Sequence, residues 1–362
     1  DARLNQPVPD LSCSMFPDRK GVAGVGAESS QRSPQCHADW GIPAVAPRPP
    51  PSFVISGIEP PWVPDDINVI QVTDPTQERR LFRQLAAECD AVFVIAPECH
   101  GILAERRRWT SEAGGTFLGP SQSAIELCAD KFRLAGHLFE HGVPTIPTER
   151  LDRLSAKRRE MFPAVIKPRD GAGSQKTFLV TSPRELDRAV RSLTDRSGAD
   201  GTEAFEGIHQ PYIAGDSLSV AALITSTGSQ IVLFPTAEQR LSDDGRFRYL
   251  GGRIPASAQP ARNIKSLIQC CVETIPGLSG YVGFDLILPT GQTSREPLIV
   301  EINPRLTTSY LGYRALTSDN LAERILFPDR TFPELSWQDE PVEFAMRNGE
   351  WRIRNGSVDA VS

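Results

Sequence analysis

Asp285, Glu301 and Asn303 are oxygen-bearing side chains set in two apolar runs, Phe284-Asp285-Leu286 and Val300-Glu301-Ile302-Asn303-Pro304-Arg305. The i, i+2 spacing of Glu301 and Asn303 puts both on one face of a strand. A turn at Pro289-Thr290-Gly291-Gln292 between the two runs brings Asp285 alongside. Three hard oxygen groups converging in this way suit Mg2+ held jointly with substrate phosphates. Two acids inside apolar strands are costly unless compensated, so a purely structural role explains them less well.

Ile166-Lys167-Pro168 ends another apolar strand and is followed by Arg169-Asp170-Gly171-Ala172-Gly173-Ser174-Gln175-Lys176. A glycine-rich loop between two lysines suits a polyphosphate, with loop N–H groups as an anion cradle and the lysines as point charges. Such loops also occur as plain hairpins, and no Gly-Lys-Ser/Thr opens a helix here, which excludes the P-loop pattern. Asp130-Lys131 falls inside a predicted helical stretch, where a lysine by itself reads as solvated. The segment from Gln210 to Val220 joins two strands through a short turn. It either offers free backbone groups to an adenine edge or is an ordinary β-connection. Arg305 is a natural fork for a carboxylate or a phosphoryl group. Thr307 and Thr308 either contact a substrate or cap the next helix.

Other chemistries are poorly supported. The seven cysteines are scattered, with no C-x-x-C, which argues against a disulfide framework and a structural zinc site. Cys128 reads as a small core residue. His137 and His141 share a helix face, but two ligands without a third do not make a zinc site; a helix end near Gly142 suits them better. The net charge of −6, with no basic run, makes a poor general nucleic-acid binder. No apolar stretch approaches the roughly 18 residues of a membrane span. Without a signal-peptide pattern at Asp1, a cytoplasmic protein is expected.

The 362 residues allow two or three domains of roughly 100–200 residues each. Residues 1–64 hold 12 of the 31 prolines and show no hydrophobic period, so an irregular segment is expected there. From 65 to 119 a strand at 67–72, a helix at 76–88, the apolar run Ala91–Ala96, a helix at 101–112 and a short strand at Phe117-Leu118 read as an α/β layer. The run Ala91–Ala96 has the look of a strand buried on both faces of a parallel sheet, and its end at Pro97-Glu98 is where such sheets place ligands. A single helical stretch is predicted over 120–142, with Ser121 as N-cap and Gly142 as stop. Antiparallel strands follow at 164–167, 177–180, 209–212, 218–225 and 230–233, interrupted by a helix at 183–193. A helix at 264–274 and strands at 281–288 and 298–302 complete the pattern. The tail beyond Phe332 is left unassigned.

Taken in order, Asp130-Lys131, Ile166-Lys167-Pro168 with its glycine-rich loop, the strand connection at 210–220, and Asp285 with Glu301-Ile302-Asn303-Pro304-Arg305 resemble the ATP-grasp superfamily of carboxylate–amine ligases, over roughly residues 65–325. The resemblance implies a fold of mixed α/β and α+β character: an N-terminal α/β pre-grasp layer and two α+β subdomains clasping ATP. The implied boundaries are 1–64, a pre-grasp domain at 65–119, and an ATP-grasp domain at 120–330, with subdomains 120–208 and 209–330. A C-terminal tail at 331–362 remains. The resemblance also implies roles. Lys131 and Lys167 contact the phosphates; Gly171, Gly173, Ser174 and Lys176 belong to a lid loop; Gln210, Tyr212 and Ile213 line the adenine pocket; Asp285, Glu301 and Asn303 hold Mg2+, which Mn2+ can replace. Many relatives carry an acid for the ribose where this chain has Ser217, and Asp216 is the expected substitute. Ile95-Ala96-Pro97-Glu98, Tyr249-Leu250-Gly251-Gly252 and Asn303-Pro304-Arg305-Leu306-Thr307-Thr308-Ser309 look like the tyramine–L-glutamate ligase branch, which serves methanofuran- and methylofuran-type cofactor synthesis.

The expected reaction is ATP-dependent amide formation through an acylphosphate, with positioning and charge neutralisation by Lys131, Lys167 and Arg305 as the main source of rate. Lys167 and Arg305 are the expected catalytic pair. Expected partners are a small-molecule carboxylate and an amine, with no nucleic acid and no membrane; a homodimer is compatible. A small-molecule kinase of the same fold and a non-catalytic ATP-binding regulator are the rival readings.

Overall fold

The computed structural model describes residues 13–16, 52–56, 68–72, 74–154, 160–194, 206–257, 264–291, 296–347 and 350–355. They fall into two compact units, one of residues 1–96 and 105–118, the other of residues 97–104 and 119–362.

The first unit contains β1 (Cys13–Phe16), β2 (Ser52–Ser56), β3 (Asn68–Val72), α1 (Pro75–Glu88), β4 (Ala91–Phe93) and most of α2 (Ile102–Glu112). Its sheet runs β3-β2-β1-β4, with β2 and β3 parallel and β1 antiparallel to both neighbours. Asp74 starts α1 by accepting the Thr76 N–H at 2.9 Å, and Pro75 needs no N–H partner in the first turn. Inside the unit, Arg106 of α2 pairs with buried Glu78 of α1 at 2.6 Å and lies over the Trp109 ring. Trp109 in turn meets Phe82 edge-on at 5.6 Å.

Two expectations change here. The apolar run forms a strand only over Ala91–Phe93, and that strand is antiparallel to β1, which pairs with it over residues 14–16. A parallel bridge from Val92 to Phe117 is all that represents the strand expected at 117–118. Within residues 1–64, expected to be irregular, the structure describes the strands β1 and β2; the rest of that segment lies outside the described residues.

The second unit has two sheets. The small one, order β5-β8-β6-β7, is built from β5 (Glu149–Arg150), β6 (Ala164–Pro168), β7 (Phe178–Val180) and β8 (Gly207–Pro211). The helix α5 (Pro183–Thr194) closes a small core with Ala164, Ile166, Val180 and Leu193. The large sheet contains β9 (Gly215–Ile224), β10 (Ile231–Leu233), β11 (Ala237–Leu241), β12 (Tyr249–Ile254), β13 (Gly280–Pro289), β14 (Leu298–Asn303), β15 (Val342–Arg347) and β16 (Glu350–Asn355). Its order is β14-β13-β9-β11-β12-β15-β16, with β10 on β9, and every pairing is antiparallel.

One face of the large sheet is sealed by α3 (Gln122–Ala129), α4 (Lys131–Glu140) and α6 (Ile264–Thr274). Leu218, Val220, Ala222 and Ile224 of β9 and Val282, Phe284, Leu286 and Leu288 of β13 enter that core, beside Ala124, Cys128, Leu134 and Ile268. By strand alternation, Ser217, Ser219, Gly283 and Asp285 face the other way. At its far end this second face is covered by α7 (Tyr310–Leu316); α8 (Leu321–Leu326) follows.

The helical stretch predicted over 120–142 is two helices broken at Asp130. This residue has extended backbone angles, and its carboxylate accepts the Arg133 N–H at 3.0 Å, capping α4. Lys131 therefore opens a helix rather than lying inside one. The expected boundary at 208/209 falls within β8. The segment 331–362, expected to be a tail, supplies β15 and β16, with Val342 and Phe344 buried in the sheet. His137 and His141 are stacked at 4.2 Å, and each donates a ring N–H to a backbone carbonyl, Thr274 and His137 respectively. Gly142 ends the helix at φ 71°.

Candidate active site

The register of the large sheet decides which side chains share a surface. Asp285 lies opposite Ser219 on β9 and Glu301 on β14, while Gly283 lies opposite Asn303. Between Asp285 and Leu286 the partner on β14 jumps from Glu301 to Ile299, leaving Val300 as a bulge. The extra residue lets Ile299 and Ile302 both enter the helix-side core while Glu301 and Asn303 stay on the opposite face. Asp285, Glu301 and Asn303 are thus brought together. Asn303 Nδ2 donates to Asp285 Oδ2 at 2.9 Å, and Gln239 Nε2 donates to Asp285 Oδ1 at 2.9 Å. Burial, with Glu301 beside it, pushes the Asp285 carboxyl up to about 6. Among the described residues no three His, Cys, Asp or Glu side chains group to hold a metal.

Two buried lysines face these acids. Lys131 Nζ lies 3.0 Å from Glu301 Oε1 and also donates to the Gly171 carbonyl. Burial opposes its charge, but Glu301 and Glu98 hold its pKa above the ordinary value. Glu301 is held below the usual carboxylate range: burial works against it, and Lys131 and Lys167 more than offset burial. Lys167, at the end of β6, is pushed down to about 8, chiefly by burial and only partly restored by Glu301. The site therefore holds one lysine that keeps its proton firmly and one that gives it up more readily.

The loop after β6 is anchored at its root by Arg169, which grips both oxygens of Asp130 and pairs with Glu206. Asp170 Oδ2 accepts the His100 N–H at 2.8 Å. Gly173, Ser174 and Lys176 have φ of 64°, 57° and 53°. Positive φ is rare for serine and lysine, and such outliers concentrate in ligand clamps. The Gln175 and Thr177 N–H groups donate within the loop, to the Ala172 and Ser174 carbonyls, and the Lys176 side chain is exposed.

The linker 212–214 connects the small sheet to the large one. Gln210 is buried and donates to Thr148 Oγ1 at 2.8 Å, Ile213 is half-buried, and Tyr212 is 37% exposed with its N–H on the Pro163 carbonyl. These three lie together. Asp216 does not join Asp285: the register places it opposite Leu288, on the same face as Leu218, whereas Ser217 shares the face of Ser219 and Asp285. Ser217, not Asp216, is thus the side chain on the face of Asp285.

Arg305 has a partner that the spacing of motifs does not reveal. Its Nε donates to Glu98 Oε2 at 2.6 Å and Nη2 to Oε1 at 3.3 Å, and Glu98 is 1% exposed. Nη1 donates to the Leu306 carbonyl at 3.2 Å. The fork is thus held from 207 residues away in sequence. The advance signals for Glu98 are its position just beyond the apolar run 91–96 and its place in Ile95-Ala96-Pro97-Glu98, neither of which points to Arg305; Gln239 gives none. Thr307 neither caps a helix nor points free. Its hydroxyl lies 3.2 Å from Tyr281 Oη and 2.8 Å from Ser309 Oγ, and its methyl fills the space a Gly283 side chain would occupy.

The model of the ATP-grasp domain matches residues 128–309, and that of the pre ATP-grasp 3 domain matches residues 59–125. The tyramine–L-glutamate ligase of Methanocaldococcus fervens is 31% identical over 257 residues, covering 71% of this chain and 72% of that protein. Among solved structures, the L-amino acid ligase of Bacillus licheniformis superposes with TM-score 0.65 at 17% identity, over 82% of this chain and 74% of that one. The biotin carboxylase domain of the Hydrogenobacter thermophilus 2-oxoglutarate carboxylase, solved with MgADP and bicarbonate, gives TM-score 0.62 at 18% identity, over 77% and 64%.

Proposed function

Because this chain belongs to the ATP-grasp family of carboxylate–amine ligases, we propose that it joins a small carboxylic acid to an amine with ATP, through an acylphosphate. The observation that carries the reading is the convergence of Asp285, Glu301 and Asn303 with buried Lys131 and Lys167 on one sheet face. The similarity to tyramine–L-glutamate ligases makes glutamate and tyramine the first substrates to try.

The donor set fits Mg2+: two adjacent carboxylates, one of them with its pKa raised by burial beside the other, and a neutral amide oxygen within the same patch. Asp285, Glu301 and Asn303 would hold the ion, which when bound neutralises phosphate charge. Asn303 must turn its amide to offer oxygen, giving up its donation to Asp285. Lys131 and Lys167 supply fixed cations to the phosphates, and the 170–176 loop, with Gly171, Gly173, Ser174 and Lys176, supplies N–H groups and a further cation. Gln210, Tyr212 and Ile213 line the base, and Ser217 faces the ribose.

Little covalent work falls to the protein. A carboxylate oxygen of the acid attacks the γ-phosphorus and ADP leaves; the amine nitrogen then attacks the acyl carbon, phosphate leaves and the amine loses a proton. Arg305, oriented by Glu98, is the fork for the acid or for the transferring phosphoryl group. Fixed charges in a buried site need no reorganisation during the reaction, which is where most of the rate comes from. ADP release is measured across acids and amines, beginning with glutamate and tyramine, with the product identified by mass. ADP that appears only with both substrates, together with an amide, supports the ligase. A phosphoester would make it a kinase, and tight ATP binding without turnover on any pair would make it a regulator.

A further inference from the structure

The turn that carries Glu98 is tied to the loop after β6 by a contact that no motif marks. Asp170 Oδ2 accepts the His100 N–H at 2.8 Å, across 70 residues of sequence. Both partners belong to the second compact unit. The turn itself is stiff. His100 and Gly101 have successive positive φ values of 55° and 67°, Cys99 is buried, and the Leu103 N–H closes back on the Pro97 carbonyl at 3.2 Å. A non-glycine residue at positive φ persists where its surroundings hold it, and here Asp170 holds the His100 amide. Two residues earlier, Glu98 grips Arg305 at 2.6 Å. On the loop side, Asp170 lies between Arg169, whose carbonyl accepts the Lys131 N–H at 3.1 Å, and Gly171, whose carbonyl accepts from Lys131 Nζ. The run 169–171 thus touches both Lys131 and the turn that orients the Arg305 fork. An acid in a loop that faces phosphates repels them, so the place of Asp170 suits seating the loop rather than contacting the anion.

We propose that Asp170 is a positioning residue: it docks the phosphate loop on the 98–101 turn, so that filling the loop with nucleotide phosphates and fixing the Arg305 fork are one event. The inference rests on the nucleotide-binding reading above and adds a link between its two halves. The bond from His100 to Asp170 exists only when the loop is seated. MgATP, which binds the seated loop better, therefore also favours the ordered turn, and the coupling runs both ways.

Amide hydrogen exchange, followed by mass spectrometry on the full chain with and without MgATP, reads both ends of the link. In the parent, MgATP should slow exchange about fivefold or more at 170–176 and also at 99–104, a segment that includes the His100 amide itself. In Asp170→Ala, MgATP should still protect 170–176, while 99–104 no longer responds. Asp170→Asn keeps an acceptor oxygen and should restore the response at 99–104. Both variants should melt with the parent, because the bond lies at an exposed position. A parent whose 99–104 segment ignores MgATP while 170–176 is protected overturns the link. An Ala variant whose 99–104 segment responds as in the parent overturns it too. So does an Ala variant that exchanges faster throughout the chain, which would make Asp170 a merely structural residue. A parent in which MgATP protects neither segment and releases no heat on titration overturns the nucleotide site itself, a different result from the other three.

Discussion

Glu98 and Arg305 form an ion pair with one member almost wholly buried, and removing one charge strands the other. Glu98→Gln should lower stability by about 3–5 kcal/mol and reduce turnover by loosening the fork. In the double variant Glu98→Gln/Arg305→Leu, stability should largely return while activity does not. Thermal unfolding beside ADP release distinguishes the two effects; a double variant as unstable as the single one would show that Glu98 acts elsewhere. Lys167 makes a pH-dependent case. Its pKa is about 8 in the fold against an ordinary 10.5, so between these values the unfolded chain binds more protons and stability rises with pH. The penalty is full below 8 and fades above it. Lys167→Met should therefore be more heat-stable than the parent at pH 7, with the gap narrowing by pH 10, and should lose turnover at both. A gap independent of pH would mean that Lys167 titrates alike in the folded and the unfolded chain. Lys167, Asp285 and Glu301 stand out in the sequence because charge in an apolar strand is conspicuous, and Asn303 follows from its i, i+2 spacing to Glu301. Lys131 by itself reads as solvated, and only the resemblance implies a role for it. Glu98 as the holder of Arg305, and Gln239, do not stand out, because their partners are brought near only by the fold.

At the level of elements, the strands with clean apolar runs, β6, β9, β13 and β14, stand where the sequence pattern puts them. β11 and β12 escape it because Tyr249-Leu250-Gly251-Gly252 looks like a loop. The glycines are there for packing: a Cβ on Gly251 would come within 2.1 Å of the Phe344 carbonyl oxygen, and its φ is 139°. Gly251→Ala should push β15 off β12 and lower the melting temperature markedly. Gly291→Ala, also at positive φ but with open space around it, should cost only about 1 kcal/mol. Equal shifts for the two would refute the packing explanation. The break at Asp130 escaped for another reason: both halves are good helix, and only a carboxylate able to cap α4 and bind Arg169 interrupts them.

Across the whole molecule, the order of motifs along the chain identified the fold, while the ends of the chain were opaque. The last described strands complete the large sheet, with Val342 and Phe344 entering its interior against Ile254 and α7. Ending the chain at residue 341 uncovers one edge of β12 and removes two buried side chains, each worth roughly 1.5–3 kcal/mol. Such a chain should lose its sharp thermal transition and elute as aggregates in size-exclusion chromatography; an unchanged transition would make the hairpin dispensable. Lys131, finally, already has two acceptors of the protein's own, the Gly171 carbonyl and Glu301. A phosphate drawn to this lysine trades places with them rather than filling a gap, and the trade runs backwards once the γ-phosphoryl group has left. The lysine's own partners then compete with the spent nucleotide. On the proposed function, the contact that ties the loop to α4 would thus also help to expel ADP, coupling completion of the chemistry to clearance of the site.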